Sequence, residues 1–306
     1  MKSLLSYYYG INTNNIVRKG SNYFFKINNN NYVFFKLKSD KYMHSYLYKF
    51  DMELLNYNKL FHQIILNKYN SFTTPVDNKL YVLFKINIIN NRLISINDIF
   101  EFSAIGYVPQ KINDQFNSSD WVKLWRDKIN YFEYYNDNIK DKNYFFKELI
   151  NYFVGLGENA IIYVQDTLKL VTVFNNNLVI QHKRIGYKDT LLDLYNPLNI
   201  VFDNRVRDIS EYFKSILING NYKKEWLKQN IDRFNFNEIE SRLFFGRLLF
   251  PSSFFDEYEY FVNKEISEHE LLAIIDQIER YEKYINDIYM IISLKYNIPK
   301  VDWICR

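Results

Sequence analysis

Two thirds of the way along, the chain reads Asn196-Pro-Leu-Asn-Ile-Val-Phe-Asp-Asn-Arg-Val-Arg-Asp-Ile-Ser-Glu-Tyr212. The short apolar run Ile200-Val-Phe202 predicts a buried strand, and Asp203 follows it directly. Arg207 and Asp208 come next, at the point where a helical pattern begins. The segment therefore predicts a strand that ends in one carboxylate and a helix whose first turn carries another.

The composition limits the classes of protein that the chain can belong to. Its 306 residues are 48% hydrophobic, which is enough to bury one large core or two small ones. The net charge of +4 is spread along the chain rather than gathered in a basic stripe, so we expect no strong binding to nucleic acid.

The cysteine content and the apolar runs indicate the compartment. The chain has one cysteine, Cys305, so it forms no internal disulfide, as is typical of a reducing cytosol. The first residues lack the apolar core of a signal peptide, and no apolar run is long enough to cross a bilayer. We expect synthesis in the cytoplasm and no membrane span.

Residues 1–90 have the pattern of a small sheet with one helix. Strands are predicted over 22–27 and 32–38, with the polar quartet Asn28 to Asn31 as the hairpin turn between them. An apolar stripe from Met43 to Phe61, at steps of three and four, predicts a helix. A further strand is predicted over 79–86.

Residues 91–306 are mostly helical in pattern. The predicted elements, in chain order, are a helix capped by Ser119, a helix over 144–163, strands over 168–174 and 178–182, the strand and helix of 196–212, and three or four further helices, the last beginning at a capping box of Ser267 and Glu270.

Five blocks of sequence carry a resemblance to a known family. They are Trp121-Val-Lys-Leu-Trp125-Arg-Asp-Lys128-Ile129, the segment from Tyr152 to Tyr163, Pro197 to Tyr212, Arg247 to Pro251, and Ile298 to Trp303. In this order they resemble the YutH branch of spore coat proteins, which is related to the CotS group and similar to aminoglycoside-phosphotransferase-type kinases. The chain departs from the family pattern at Gly157, where that pattern has Ala, and at Asn199, where it has Asp.

The resemblance implies an α+β, protein-kinase-like fold with two lobes. Residues 1–90 would form a small β-rich N-lobe, and residues 91–306 a larger helical C-lobe. The catalytic loop of such kinases reads H-G-D-x-x-x-x-N, in which the Asp accepts the proton of the substrate hydroxyl. Laid on this chain from His182, the pattern places Arg184 at the Asp and Asp189 at the Asn.

Arg184 cannot do the work of that Asp, because a guanidinium with a pKa above about 12 accepts no proton at neutral pH. We therefore expect no catalytic residues in this degenerate loop. His182 is alternatively a structural histidine at the end of a strand. Under a rival hypothesis, Asp189 or Asp203 would hold magnesium in an active enzyme.

A vestigial nucleotide site is also implied by the resemblance. Lys36 on the second hairpin strand and Glu53 on the following helix match the pair that holds nucleotide phosphates in active kinases, although Lys38 has the same facing as Lys36. Both residues are alternatively ordinary surface charges. Asp203 is a metal ligand under one hypothesis and a helix cap under the other.

The remaining candidates are structural. Asp208 is predicted to cap the helix and to pair with Arg205 or Arg207. Trp121 and Trp125, four residues apart, are predicted to pack in the core. Glu158 lies among apolar residues of a helix, so we expect a buried brace that pairs with Lys128 or with an arginine of residues 205–207.

These observations favour a spore-coat-associated pseudokinase that acts as a structural or assembly component. Its partners would be other coat proteins, bound through an exposed surface rich in the chain's 28 tyrosines. It would be made in the mother-cell cytoplasm and deposited in the coat. No cofactor is expected. ATP and Mg²⁺ are implied only by the alternative, an active phosphotransferase.

Overall fold

The computed structural model describes residues 1–37, 44–105, 116–138, 144–170, 178–219, 222–263, 267–272 and 278–305. The chain divides into two compact units. Unit 1 consists of Met1–Phe116 and Lys188–Val201, and unit 2 of Asn117–Tyr187 and Phe202–Arg306. The predicted boundary at residue 90 does not coincide with this division.

The elements follow one another along the chain. In order they are α1 (Lys2–Tyr9), β1 (Ile16–Lys19), β2 (Asn22–Ile27), β3 (Asn30–Lys36), α2 (His44–Tyr57), β4 (Gln63–Ile65), β5 (Thr73–Val76), β6 (Lys79–Ile86), α3 (Ile96–Ser103), α4 (Trp121–Asn138), α5 (Tyr144–Lys169), β7 (Val179–His182), α6 (Leu191–Leu194), a 3-10 helix (Pro197–Asn199), β8 (Ile200–Asp203), α7 (Val206–Asn219), α8 (Lys224–Asp232), α9 (Glu238–Leu249), α10 (Ser252–Val262), α11 (Glu268–Leu272) and α12 (Ile278–Ile292).

Unit 1 is built on an antiparallel sheet with the strand order β1-β2-β3-β6-β4, to which β5 is added by pairing with β6. The predicted hairpin is confirmed, with the turn at Asn28 and Asn29. Both have positive φ (46° and 67°), the backbone that a two-residue turn between right-twisted strands requires. Phe34 and Tyr81 stack in the core of this unit, with ring centroids 4.8 Å apart.

Residues 188–201 belong to unit 1 because they bond to it along their length. The N–H of Ile94 donates to the carbonyl of Asp189 (2.9 Å), and the N–H of Leu191 donates to the carbonyl of Arg92 (3.0 Å). Nε2 of the buried His62 lies 2.9 Å from the carbonyl oxygen of Leu192. A cut at residue 90 would separate His62 from Leu192, although it would leave the other two pairs on the same side.

Unit 2 is helical. α5 packs against α4 and α9, and α7 packs against α9. The strand predicted over 168–174 is wrong for Leu168 and Lys169, which end α5 because the buried face of that helix continues through Val164 and Thr167. Residues 171–174 lie outside the described residues. The strand predicted over 178–182 is confirmed as β7.

The predicted capping box is confirmed before α11. Oγ of Ser267 accepts from the N–H of Glu270 (3.3 Å), and the Glu270 carboxylate accepts from the N–H of Ser267 (2.7 Å). The single last helix that the pattern predicted is described as α11 and α12, with residues 273–277 outside the described part. A bilayer-crossing helix is not found anywhere in the described residues.

Candidate functional site

The candidate site lies in unit 2, where β7 and β8 end and α7 begins. The side chain of Asn204 caps α7, because its Oδ1 accepts from the N–H of Val206 at 3.1 Å. The prediction that Asp203 and Asp208 cap this helix is therefore wrong. Both carboxylates are fully buried. Asp208 binds His182 of β7, and Asp203 binds the side chains of Trp121 and Arg207 and the N–H of Asn204.

Asp208 braces the end of β7. Its Oδ1 accepts from the N–H of His182 (2.8 Å), and its Oδ2 accepts from Nδ1 of the same histidine (2.6 Å). The predicted pairing of Asp208 with Arg205 or Arg207 is wrong, since Arg205 pairs with Glu240 at the surface and Arg207 pairs with a different carboxylate. Asp208 instead points across to β7, which supplies it with a backbone and a ring donor.

Arg207 joins the ends of both strands. Its Nη1 donates to Oδ2 of Asp203, the last residue of β8. Its Nε donates to the carbonyl of His182 (2.7 Å) and its Nη2 to the carbonyl of Lys183 (3.0 Å). The guanidinium therefore fixes the backbone at the start of the degenerate loop.

Three N–H groups donate to the carboxylate of Asp203. Trp121 Nε1 donates to both of its oxygens (3.0 and 2.8 Å), and the N–H of Asn204 donates to Oδ1 (2.6 Å), in addition to Arg207. A carboxylate offers about four lone-pair positions, so these contacts leave little room for a metal. Magnesium binding at Asp203, which the alternative function requires, would displace some of these donors.

The described residues contain no cluster of three or more His, Cys, Asp or Glu side chains that could hold a metal ion. Asp189, the other carboxylate considered for magnesium, belongs to unit 1, and its backbone carbonyl accepts from Ile94. The role of either residue as a metal ligand stays a prediction.

Arg184, at the position of the proton-accepting Asp, is half exposed and forms an ion pair. Its Nη2 lies 3.0 Å from Oδ2 of Asp256, and Nζ of Lys128 lies 2.5 Å from Oδ1 of the same carboxylate. The two cations thus share Asp256. Lys128 is therefore occupied and does not pair with Glu158.

The brace predicted at Glu158 is wrong. Glu158 and Asn159 are exposed on α5, while Leu156, Gly157 and Ala160 are buried. The apolar neighbours lie on one side of the helix and Glu158 on the other, so its carboxylate needs no buried partner.

The vestigial nucleotide pair lies in unit 1. Lys36 is the last residue of β3, and its backbone N–H donates to Oδ1 of Asn22 at 3.1 Å. Glu53 is exposed on α2, and the ion pairs of the described residues do not join it to Lys36. Lys38, the alternative lysine, lies outside the described residues. The vestigial role stays a prediction.

The two tryptophans of α4 line the site. Both are buried, and their rings stack with centroids 5.7 Å apart. Trp125 also stacks on Phe250 at 4.4 Å, and the Arg247 guanidinium lies 4.5 Å from the centre of the Trp121 ring. Trp121 thus packs in the core, as predicted, and in addition donates to Asp203.

A buried charge network at the inner end of the site was missed by the sequence analysis. Glu211 accepts from Nε of Arg247 (3.0 Å) and lies 3.6 Å from Nζ of Lys214. Lys214 also donates to the carbonyl of Phe250 (3.1 Å) and to Oγ of Ser252 (3.2 Å). Arg207, Glu211 and Lys214 are spaced four and three residues apart, so one face of α7 carries all three. That spacing was the available signal.

Burial shifts the pKa values of this network. Burial lowers the pKa of Lys214 to about 7, against the attraction of Glu211, and it lowers the pKa of Arg247 to about 10. Burial alone would raise the pKa of Glu211, but Lys214 and the nearby arginines outweigh it and hold that pKa well below its usual value.

Comparisons with known proteins agree on family and fold. The family model described as spore coat putative kinase YutH matches residues 2–288. Over 267 residues the chain is 26% identical to the endospore coat-associated protein YutH of Bacillus subtilis (strain 168), and the match covers 78% of each chain.

Two solved structures share the fold. One is spectinomycin phosphotransferase in complex with ADP and spectinomycin, with a TM-score of 0.59, 12% identity and coverage of 94% of this chain and 96% of that one. The other is an aminoglycoside phosphotransferase from Alicyclobacillus acidocaldarius, with a TM-score of 0.60, 10% identity and 96% of each chain covered. The predicted α+β kinase-like fold, with a small β-rich part and a larger helical part, is confirmed.

Proposed function

Because the chain belongs to the spore coat putative kinase YutH family, we propose that it is a component of the endospore coat that acts through protein contacts and transfers no phosphoryl group. It is made in the cytoplasm of the mother cell and deposited in the coat. The Bacillus subtilis relative is described as endospore coat-associated, which supports this location.

The proposal that the protein transfers no phosphoryl group rests on the hydrogen bonds and the ion pair of Asp203. Trp121 and Arg207 donate to its two oxygens, and a carboxylate in that state leaves little room for magnesium. Arg184 supports the same reading, because a cation tied to Asp256 stands where the family of kinases needs a proton acceptor.

Each of the two units has exposed tyrosines that are available for coat contacts. Tyrosine is enriched in protein interfaces because it combines a large apolar ring with a polar tip. Exposed tyrosines among the described residues are Tyr7, Tyr57, Tyr69, Tyr131, Tyr134 and Tyr260. Other coat proteins are the partners that these side chains would contact.

The test combines binding, turnover and location. Purified protein is titrated with Mg-ATP in a thermal-shift assay and incubated with labelled ATP, alongside Asp203→Asn. We expect no turnover by either protein. Phosphoryl transfer by the wild type that Asp203→Asn abolishes would establish the alternative, an active Mg-ATP-dependent phosphotransferase.

A second experiment tests whether the protein is located in the spore coat. The tagged protein, expressed in its sporulating host, should appear in the coat extract of purified spores. Recovery only from the mother-cell lysate would contradict the proposed location, whatever the result with ATP.

A further inference from the structure

A cavity of about 240 Å³ opens inside unit 2 beside the charge network. Its walls come from α4, α7, the end of α9 and the loop after β7. Cationic side chains dominate the lining: they are Lys128, Arg184, Arg207, Lys214 and Arg247, against the single lining carboxylate of Glu211. Because these cations outnumber the lining carboxylate, the cavity attracts anions.

Buried cations that line the cavity outnumber the buried carboxylates that pair with them. Three of the cations, Arg207, Lys214 and Arg247, are buried, with 7%, 4% and 3% of their surface exposed. The buried carboxylates that pair with them are two, Asp203 and Glu211. A buried cation without its own carboxylate is costly, and a bound anion would remove that cost.

Arg247 also offers a specific hydrogen bond. Its Nε and Nη2 are both directed at Glu211, at 3.0 and 2.9 Å. Its Nη1 is buried and has no hydrogen-bond acceptor among the described residues. An unsatisfied buried donor costs about 1–3 kcal/mol, so this N–H is a ready partner for a ligand oxygen.

We propose that this cavity binds a small oxyanion, a phosphate, phosphomonoester or carboxylate group, with one oxygen accepting from Nη1 of Arg247. Lys214, which also lines the cavity, supplies further positive charge. Sites for drug-sized ligands measure about 300–1,000 Å³, so the smaller volume here suits a compact anion rather than a nucleotide. The coat role does not require this site, which adds ligand binding to it.

The aromatic side chains of the cavity strengthen the attraction between its cations and a bound anion. Trp121, Trp125 and Phe250 form an apolar side of the cavity. Charge interactions strengthen where water is excluded, so the same guanidinium holds an oxyanion more tightly here than at the surface. The arrangement also disfavours cations, since Lys128 and Arg184 line the cavity as well.

Inorganic phosphate is the probe for the test. It is titrated calorimetrically into the full chain at pH 7 and constant ionic strength, with chloride as the reference anion and without ATP or magnesium. We expect saturable phosphate binding that chloride does not reproduce. Because no nucleotide is present, the outcome is independent of whether the protein transfers phosphoryl groups.

Exposed leucines provide a pair of variants that should fold normally. Leu124 lines the cavity and is 48% exposed, whereas Leu294 is 83% exposed and is not among the lining residues. Leu124→Glu places a negative charge at the cavity and should weaken phosphate binding by about fivefold or more. Leu294→Glu carries the same charge elsewhere and should bind like the wild type.

A second pair tests the hydrogen bond. Arg247→Gln removes the donor, and Arg242→Gln removes an arginine of the same helix that pairs with Glu238 outside the cavity. Phosphate binding should be lost in the first and kept in the second. Circular dichroism and thermal unfolding establish that each variant is folded.

Proton uptake gives a signature that a purely structural network would not show. An anion beside Lys214 favours its charged form. Sulfate is the probe for this measurement, because phosphate itself titrates near neutral pH. Sulfate binding near pH 7 to 8 should take up a fraction of a proton, read from heats in buffers of different ionisation enthalpy. Lys214→Met should abolish the uptake. Equal heats for phosphate and chloride, or equal phosphate affinity of Leu124→Glu and Leu294→Glu, would overturn the proposal.

Discussion

Nδ1 of His182 lies 2.6 Å from Oδ2 of Asp208, and both side chains are fully buried. The same carboxylate accepts from the backbone N–H of His182 at 2.8 Å. One aspartate of α7 thus satisfies two donors at the end of β7. The histidine that begins the degenerate loop is held in place by this pair of bonds.

Removal of that aspartate should destabilise the protein strongly. In Asp208→Ala both donors of His182 lose their acceptor in a buried place, which predicts a loss of about 3 kcal/mol or more in the free energy of unfolding. Urea denaturation measures it. Asp232→Ala, at an exposed position of α8, is the matched control and should change stability by less than about 0.5 kcal/mol. Equal effects of the two variants would contradict the brace.

Trp121 and Trp125 allow the hydrogen bond to Asp203 to be separated from ring packing. Trp121→Phe loses the Nε1 donor as well as part of the ring, whereas Trp125→Phe loses ring area alone. The first should therefore cost about 1.5–3 kcal/mol more than the second, the usual range for a hydrogen bond to a charged group. Chemical denaturation of both variants gives the difference, and a difference near zero would refute the role of the donor.

Stability should rise with pH through the titration of Lys214. Below pH 7 this lysine is charged in both the folded and the unfolded state. Between its folded pKa of about 7 and the ordinary value of 10.5, the unfolded state retains the proton and the folded state releases it. The unfolded state then binds more protons, so the free energy of unfolding increases with pH in that window.

Lys214→Met should remove this dependence. The increase in the urea midpoint between pH 7 and pH 9 should be smaller in the variant than in the wild type, and Lys228→Met, an exposed lysine of α8, should behave as the wild type does. A variant profile parallel to that of the wild type would show that Lys214 keeps its proton in the fold.

Two helical glycines should respond to alanine in opposite directions. At Gly155 a Cβ atom would meet nothing within 4 Å, so Gly155→Ala should stabilise α5 by about 0.5–1 kcal/mol. At Gly246 it would lie 2.8 Å from Val164 Cγ2, so Gly246→Ala should destabilise by about 1–3 kcal/mol. Thermal unfolding of both variants checks the contrast, and a gain in stability at Gly246 would contradict the close packing of α5 and α9.

Local signals made much of the fold predictable. The asparagine turn between β2 and β3 and the capping box before α11 each depend on residues within a few positions of one another. β7 was recognisable from its short apolar run. Leu168 and Lys169 were misplaced because a short apolar segment at a helix end cannot be told from a strand by periodicity alone.

The site was harder to predict from the sequence, because its hydrogen bonds join distant parts of the chain. Trp121 and Asp203 are 82 residues apart, and Arg247 and Glu211 are 36 apart. Sequence spacing carries no information on such pairs, so Trp121 was predicted only as a core residue. Glu158 was misjudged because its apolar neighbours in sequence lie on the opposite side of α5.

The two side chains that bind the Asp203 carboxylate, Trp121 and Arg207, have an evolutionary consequence. When Trp121 alone is replaced, Arg207 still pairs with the Asp203 carboxylate. When Arg207 alone is replaced, Trp121 still donates to that carboxylate, and the buried negative charge is left without a cation. Such an intermediate could give up a large part of a net stability that is typically about 5–15 kcal/mol. No single replacement of Trp121 or Arg207 therefore gives a free carboxylate at this position, and each one first produces a less stable protein.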